Sequence, residues 1–525
     1  MKIVIIGGGN AGVATATRIR RANENAEIVI LEKSEEFAVA KCGFSYLISG
    51  IVDDPNELVA LTPQQMQRTF NVKVKLNHHV IGINRNEKIL NIENRQNETY
   101  DKLIIATGAI QLRPDISGIL GENIFTIKNL ENIEQINDYL TNFDTPTILI
   151  IGGGKTGLEL AEAFYNRGAE IIINESSSHI LPEFDADCTK EIEQLLLDKG
   201  INLQIGKKIS ALESNVVHFD DGLSIKYDMA IIATKLSPEI KLAILADIEL
   251  GKSGAIAVNK YMQTNDENIY ACGKCAEITN KITYETETCT NPAITLKQAK
   301  IIAEHLNGGN IKMSQIINNS IIKIFDYTLA ICGCSEEKLK TLKIQNQKVF
   351  LRQSDKALYY PNAESLLLKL IFADNGNILG MQIIGKSGVA ERINVVSAQI
   401  QHNAKVKDLV NQEMAYAPPF ATPKDAINSI ASLAQEMLDN KLRYMNISEI
   451  NDDTYLVDVR TPYAFTNCHM PNAINLPLNS IRDNIESLPQ NKQIAICCNR
   501  EYGAYLAYQI LNHHGFDNTY LLCRD

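Results

Sequence analysis

A chain of 525 residues exceeds what one core organises, since single domains usually run to about 100–200 residues, so three or four domains are expected. Its composition, 45% hydrophobic and 22% charged without a low-complexity tract, is that of a globular protein and excludes a disordered one. The 51 basic against 62 acidic side chains leave a formal charge of -11, which repels polyanions and excludes nucleic acid as an expected partner.

The N-terminus opens on an apolar strand, Lys2-Ile3-Val4-Ile5-Ile6, which breaks at Gly7-Gly8-Gly9 before a signal-peptide core is complete. No apolar run reaches the roughly 18 residues a membrane helix requires, so no membrane partner is expected and the expected location is the cytoplasm. A helix over 13–21 and a second strand over 27–31 complete a βαβ unit. Within it Gly7 permits the tight turn, Gly9 lets the backbone approach a pyrophosphate, and Gly12 lets the helix pack on the strand. Glu32 ends the second strand, 20 residues beyond Gly12, where a carboxylate accepts hydrogen bonds from a ribose diol.

About ten residues further on, Ala40-Lys41-Cys42-Gly43-Phe44-Ser45-Tyr46-Leu47 can begin a helix. A thiol at that helix end beside Lys41 would have its thiolate stabilised by the dipole and the charge; the alternative is a buried packing cysteine. Strand-like closures follow at 103–108 and 229–234. Between them the first grammar returns: a strand over 147–151, then Gly152, Gly154 and Gly157, a helix over 158–167, a strand over 170–173 and Glu175. Two such units make two dinucleotide sites, and a flavin in the first with a nicotinamide in the second lets hydride pass to the isoalloxazine and onward. Glu175 favours NADH over NADPH because it repels a 2′-phosphate, a preference that 176–178, all serine, soften.

The eleven cysteines are odd in number and follow no regular framework, as suits reduced thiols. Cys272-Gly273-Lys274-Cys275 has no second such pair and no paired histidines at ligand spacing, so it reads as packing cysteines and no metal is expected. From about Ser320 to Met437 the pattern is a separate α/β domain; after a short charged link over 440–443, strands over 455–459 and 493–497 read as buried and parallel.

Cys42-Gly43 with Tyr46, the closures Ala106-Thr107-Gly108 and Asn268-Ile269-Tyr270-Ala271-Cys272-Gly273, and the segments Tyr359-Tyr360-Pro361 and Tyr416-Ala417-Pro418-Pro419-Phe420 carry a family resemblance. On these, over nearly its whole length, the chain resembles the coenzyme A disulfide reductases and related NADH oxidases, peroxidases and persulfide reductases among the flavoprotein disulfide reductases. The resemblance implies an α/β fold with two Rossmann-like domains, one for FAD over 1–110 and 236–310, one for NAD(P) over 111–235. It implies a dimerisation domain over 315–437, a homodimer, and FAD with NADH or NADPH as cofactors, Thr107, Gly108 and Gly273 joining the glycine loops around them. Members with an internal disulfide carry a second cysteine five places after the first, where this chain has Leu47. The other half of the redox pair then comes from outside, as a mixed disulfide or persulfide, or as a sulfenic acid after attack on peroxide. By the same resemblance Tyr416 reaches the Cys42 site of the partner subunit with Tyr359 and Tyr360 close by, to donate to a leaving thiolate or order the substrate. Arg18, Arg20 and Arg21 lie where family members bind coenzyme A phosphates.

Leu456-Val457-Asp458-Val459-Arg460, the run from His469 to Pro477, and Cys498 before a helix over 505–511 resemble a rhodanese domain, expected over 444–525. There a cysteine at a strand end sits in a loop whose N–H groups cradle a persulfide; Cys498 is the matching residue and Cys497 is strand core. The loop departs from that family, with Arg500 displaced and Glu501 adding negative charge. In the main body Lys274 replaces an aspartate that holds the flavin ribityl chain, Lys235 a glycine, and Lys155 an aromatic that shields the flavin.

The expected enzyme is therefore a reductase in which NAD(P)H reduces FAD, FAD reduces Cys42, and Cys42 cleaves a coenzyme A disulfide, persulfide or polysulfide. Cys498 would deliver or accept sulfane sulfur. Two other readings stay open: an NADH oxidase or peroxidase cycling Cys42 through sulfenic acid, and a degenerate dinucleotide-binding scaffold for which Lys274, Lys235 and the altered Cys498 loop argue.

Overall fold

A computed structural model describes residues 1–288, 291–498 and 501–523; Asn499, Arg500 and the side chain of Glu501 lie outside the described residues. The chain divides into two compact units, Met1–Pro182 with Ile192–Asn318, and Glu183–Glu191 with Asn319–Asp525.

In the first unit, β1 (Lys2–Ile6), α1 (Asn10–Ala22) and β2 (Glu27–Leu31) form the N-terminal βαβ unit, followed by α2 (Phe44–Ser49), β3 (Val72–Lys75) and β4 (Lys102–Ile105). The second repeat contains β5 (Ile124–Thr126), β6 (Thr147–Ile151), α3 (Lys155–Asn166), β7 (Glu170–Glu175), β8 (Asn202–Ile205) and β9 (Met229–Ile232). After it β10 (Ile269–Ala271) and α4 (Pro292–Leu306) return to the first domain. The strands make two parallel five-stranded sheets, ordered β10-β4-β1-β2-β3 and β8-β7-β6-β9-β5. Ile3, Val4 and Ile5 in one sheet and Ile148, Leu149 and Ile150 in the other are fully buried. Such uninterrupted apolar runs bury both faces of a strand, which a parallel sheet flanked by helices requires. Both helices after the glycines begin earlier than the apolar pattern alone placed them, at Asn10 and Lys155, because Gly9 and Gly154 supply extended N-caps.

In the second unit, β11 (Ser320–Ile324), β12 (Tyr327–Gly333), β13 (Gln347–Ser354), β14 (Ser365–Phe372) and β15 (Ile378–Gly385) make one antiparallel sheet, order β11-β12-β15-β14-β13. It is accompanied by α5 (Val389–Gln401) and α6 (Ala426–Leu438). Lys369 on β14 is fully buried, with its Nζ 2.9 Å from Asp185, 2.6 Å from Asp187 and 2.9 Å from Glu336. The C-terminal part contains β16 (Tyr444–Asn446), β17 (Thr454–Asp458), β18 (Ile474–Asn475), β19 (Gln493–Cys497), α7 (Glu501–His513) and β20 (Thr519–Cys523). Its sheet is parallel, order β16-β20-β19-β17-β18, so the two strands read from the sequence lie side by side with Asp458 opposite Cys497.

Candidate functional site

The two glycine loops are built on the same plan. Gly7 and Gly152 have φ of +110° and +117°, and a Cβ on either would stand 2.4 or 2.7 Å from the carbonyl oxygen of Ala106 or Ala233. A Cβ on Gly12 or Gly157 would meet the carbonyl oxygen of Gly7 or Gly152 at 1.9 Å, so the helix approaches its strand only because no side chain intervenes. Gly9 and Gly154 differ: nothing lies within 4 Å of their would-be Cβ, which leaves open space at the N-termini of α1 and α3. A helix N-terminus facing open space with unpaired N–H groups is where a pyrophosphate is received.

The acidic strand ends close both loops. Glu32 Oε2 accepts a hydrogen bond from the Gly8 amide at 2.7 Å while its Oε1 accepts from the Ser34 amide at 3.0 Å. Glu175 repeats this with Gly153 at 2.9 Å and Ser177 at 2.8 Å. Gly8 and Gly153 were not singled out from the sequence, yet a Cβ on them would press on the Glu32 or Glu175 Cβ at 3.2 or 2.9 Å. The signal was present as the middle glycine of each triplet.

Thr107 donates its hydroxyl to the Glu239 carbonyl at 2.8 Å, and Gly108 has φ +75°. Gly273, φ +80°, donates its amide to buried Gln298 at 2.8 Å, a contact across 25 residues that leaves no trace in the sequence. Lys274 is half-buried and Lys235 is exposed. Cys272 and Cys275 are fully buried packing residues; burial pushes the Cys272 thiol up to about 12 despite its hydrogen bond with Thr15.

Cys42 is exposed. It sits in a single 3-10 turn, Lys41–Gly43, and the α-helix starts only at Phe44, so the thiol lies before the helix rather than within it. Glycine at 43 lets Leu58 pack against the turn, because a Cβ there would stand 2.3 Å from the end of the Leu58 side chain. One turn on, partial burial, then the Glu159 carboxylate and the Cys42 sulfur, push the Tyr46 phenol up. Glu159 belongs to α3, so the helix of the second glycine loop reaches the neighbourhood of Cys42; burial pushes its carboxyl up against the opposing Lys155. Ser45 Oγ is buried with no hydrogen-bond partner among the described residues.

The three arginines of α1 part ways. Arg20 is buried, and its guanidinium donates to the carbonyls of Phe70, Asn23, Glu24, Ala26 and Asn71. With its donors taken by backbone it cannot clamp a phosphate, which corrects the expectation from its spacing: Arg20 is a structural pin. Arg18 is half-buried, and Arg21 is exposed with its Nε on the Thr17 carbonyl.

In the second unit Tyr359 and Tyr416 are exposed and lie together. Partial desolvation and the Tyr359 hydroxyl push the Tyr416 phenol up. The contact is fastened by the Ala357 amide on the Pro418 carbonyl at 3.4 Å, and the Tyr360 amide closes the turn on Ala357 at 2.8 Å. At the end of β19, Cys498 is half-buried and a Cβ on Gly503 of α7 would lie 3.1 Å from its sulfur, so the thiol rests on the first turn of that helix. Cys497 at the end of β19 is half-buried as well; its thiol bonds the Val457 carbonyl, and burial, with Asp458 beside it, pushes it up to about 12.

A family profile described as pyridine nucleotide-disulphide oxidoreductase matches residues 1–294. The chain belongs to this family. The family's dimerisation domain matches 320–427 and a rhodanese-like domain matches 444–523. Among curated proteins the chain is similar to an NADH oxidase of Methanocaldococcus jannaschii, 31% identical over 84% of this chain and 100% of that one. It is also similar to a coenzyme A disulfide reductase of Staphylococcus epidermidis, 32% identical over 83% and 100%. Two solved structures match throughout. One is the reduced Bacillus anthracis CoADR-RHD, TM-score 0.97, 32% identical, covering 100% of this chain and 96% of that one. The other is an NAD-dependent persulfide reductase from A. fulgidus, TM-score 0.95, 30% identical, covering 99% and 98%.

The protein is thus an oxidoreductase, and FAD and NAD(P)H are its family's cofactors. The residues present fit two dinucleotides: both loops keep open space at Gly9 and Gly154, both carboxylates stand ready, and Ser45 offers a buried hydroxyl without a partner. No helix among the described residues is long and apolar enough to cross a membrane.

Proposed function

We propose that the protein is an NAD(P)H-dependent reductase of sulfur–sulfur bonds, acting on a coenzyme A disulfide or persulfide or on polysulfide, and working as a homodimer in the cytoplasm. The observation that carries this is Cys42: an exposed thiol on a tight turn, beside Tyr46, with no second cysteine on the helix that follows it. A thiol without a local partner takes its second sulfur from the substrate.

The Gly7–Gly12 loop and Glu32 would hold FAD, the Gly152–Gly157 loop and Glu175 would hold the nicotinamide nucleotide, and Thr107, Gly108 and Gly273 complete the flavin side. Bound FAD supplies two electrons, drawn as hydride from the nicotinamide. The Cys42 thiolate attacks the disulfide, forming a Cys42–coenzyme A disulfide and releasing one thiolate. Two electrons and a proton then restore the Cys42 thiolate and release coenzyme A as thiol. With a persulfide the first leaving group is hydrosulfide. Tyr416 and Tyr359 of the partner subunit, with Tyr360, would donate to the leaving thiolate, and Arg18 and Arg21 would meet coenzyme A phosphates.

The M. jannaschii relative favours an oxidase as the second reading. The rhodanese-like domain tips the choice toward sulfur, because an oxidase acting on oxygen or peroxide has no sulfane sulfur to carry. Visible absorption decides between them: flavin bleached by NADH should recover on anaerobic addition of coenzyme A persulfide or disulfide, and not in Cys42→Ser. Recovery with peroxide alone would turn the reading to the oxidase.

A further inference from the structure

Two tyrosine-bearing segments of the second unit have no regular structure of their own: 355–364, which joins β13 to β14, and 411–425, which leads into α6. Tyr359 and Tyr360 lie on the first and Tyr416 on the second. An irregular segment has no backbone ladder, so its place depends on a few bonds that can be named. The first segment closes at its base, where the Asp355 amide donates to the Glu364 carbonyl at 2.9 Å and the Glu364 amide to Asp355 Oδ1 at 2.8 Å. The second ends at Asp425, whose Oδ1 accepts from the Ile427 amide at 2.9 Å and caps α6. Between these two ends stands Arg392, near the start of α5 and only 3% exposed. Its Nη2 donates both to the Asp355 carbonyl at 2.9 Å and to Asp425 Oδ2 at 2.7 Å, so one nitrogen joins the two segments. Nε adds a second contact to Asp425 Oδ2 at 3.0 Å, and Nη1 donates to the Gly388 carbonyl at 2.9 Å. A Cβ on Gly388, whose φ is +73°, would stand 2.2 Å from that Nη1, so glycine leaves the guanidinium its room. By comparison, the direct bond from the Ala357 amide to the Pro418 carbonyl is long, at 3.4 Å.

We infer that Arg392 is a positioning residue for the reduction: by holding Asp355 and Asp425 together it sets the place of the Tyr359–Tyr416 pair that gives a proton to the leaving thiolate. The inference rests on the proposed reductase, in which that pair serves the Cys42 of the other subunit. There the Cys42 sulfur bonds one substrate sulfur, the electron pair of the broken sulfur–sulfur bond stays on the other, and that sulfur takes the phenol proton. A reacting group displaced by roughly 1 Å costs about a hundredfold in rate, so a bond that fixes both segments acts on the chemistry without touching substrate. Lysine does not replace this arginine. Its ammonium is a compact point charge and cannot reach two carbonyls and both sides of a carboxylate in one plane.

The test uses the full-length flavoprotein, reduced anaerobically with one equivalent of NADH, and reads the rate of flavin reoxidation by two disulfides. Coenzyme A disulfide releases an alkyl thiolate, which gains from the proton; 4,4′-dithiodipyridine releases a thiolate that its own ring already stabilises. The readout is the ratio of the first rate to the second. Tyr416→Phe should lower this ratio about a hundredfold, as loss of a general acid does, and Arg392→Lys should lower it at least about tenfold. Asp425→Asn keeps a cap for Ile427 while breaking the paired contact, and should do the same, so the test does not depend on one variant folding. An unchanged ratio in Tyr416→Phe refutes the tyrosine as proton donor. A lowered ratio there with an unchanged one in Arg392→Lys and Asp425→Asn overturns the positioning role alone. Equal losses with both disulfides are what a merely structural residue gives, and overturn it as well.

Discussion

Replacing Lys369 by methionine should weaken the antiparallel sheet of the second unit in a pH-dependent way. In the native protein one buried ammonium faces three carboxylates, and Asp187 Oδ1 is already buried without a hydrogen-bond partner among the described residues. Burial opposes ionisation of Glu336, but Lys369, with Lys340 and Lys348, outweighs it and holds the carboxyl at about 2, against an ordinary 4.5. A depression of that size corresponds to about 3 kcal/mol. Its sign follows from linkage: the contribution is complete above pH 4.5 and is lost as the pH falls toward 2. Removing the cation leaves Asp185 and Asp187 without their ammonium while Glu336 keeps Lys340 and Lys348, and breaking a buried pair from one side typically costs about 3–5 kcal/mol. In Lys369→Met acid removes the charge left buried without its ammonium, so the penalty shrinks as the pH falls. Hydrogen exchange of the β14 amides at pH 7 and pH 4 reads this locally, where a chain of several domains gives no single unfolding constant. Exchange at pH 7 indistinguishable from the wild type, or a penalty equally large at pH 4, would refute the reasoning.

The glycine loops predict opposite outcomes for two similar changes: Gly12→Ala should fold poorly, its Cβ 1.9 Å from a backbone oxygen, whereas Gly9→Ala should melt normally in apo form and lose FAD at least tenfold in affinity by titration. Alkylation of the native protein at pH 8 should mark exposed Cys42 and Cys468 and spare buried Cys188, Cys272, Cys275 and Cys332 until the chain is unfolded, as peptide mass mapping will show. Glu175→Gln should raise the NADPH-to-NADH ratio of kcat/KM about tenfold by removing a repulsive charge while its amide oxygen still accepts from Gly153; Glu175→Ala, which orphans that N–H, should lose activity with both nucleotides.

The features legible in the sequence were those whose cause is local. Apolar runs bounded by glycine announced both parallel sheets, and Gly7, Gly12 and their counterparts were found because a steric requirement between a strand and the next helix fixes residue type at fixed spacing. Arg20 was misread for the complementary reason. From spacing it is one of three cations on a helix surface; only tertiary structure brings the carbonyls of Phe70 and Asn71 to it, and a carbonyl leaves no mark in a sequence. Gln298 beneath Gly273 and the acids around Lys369 were missed likewise, since they meet across 25 and 33 to 184 residues. The turn at Cys42 fell between these cases: a cysteine near a helix start was readable from the residues, whereas its exposure, its place ahead of the helix and the packing of Leu58 over Gly43 were not.

The repeated carboxylate shows how one local device serves two sites. Both oxygens of Glu32 and of Glu175 accept hydrogen bonds from backbone amides of their own loops. Each carboxylate therefore holds its glycine turn in shape, and in the proposed nucleotide sites its remaining lone pairs would meet a ribose. That double duty ties nucleotide recognition to loop geometry. It also explains why the middle glycine of each triplet matters as much as the three of the familiar spacing: its missing side chain lets the carboxylate stand against the turn, and its N–H is the donor that keeps it there.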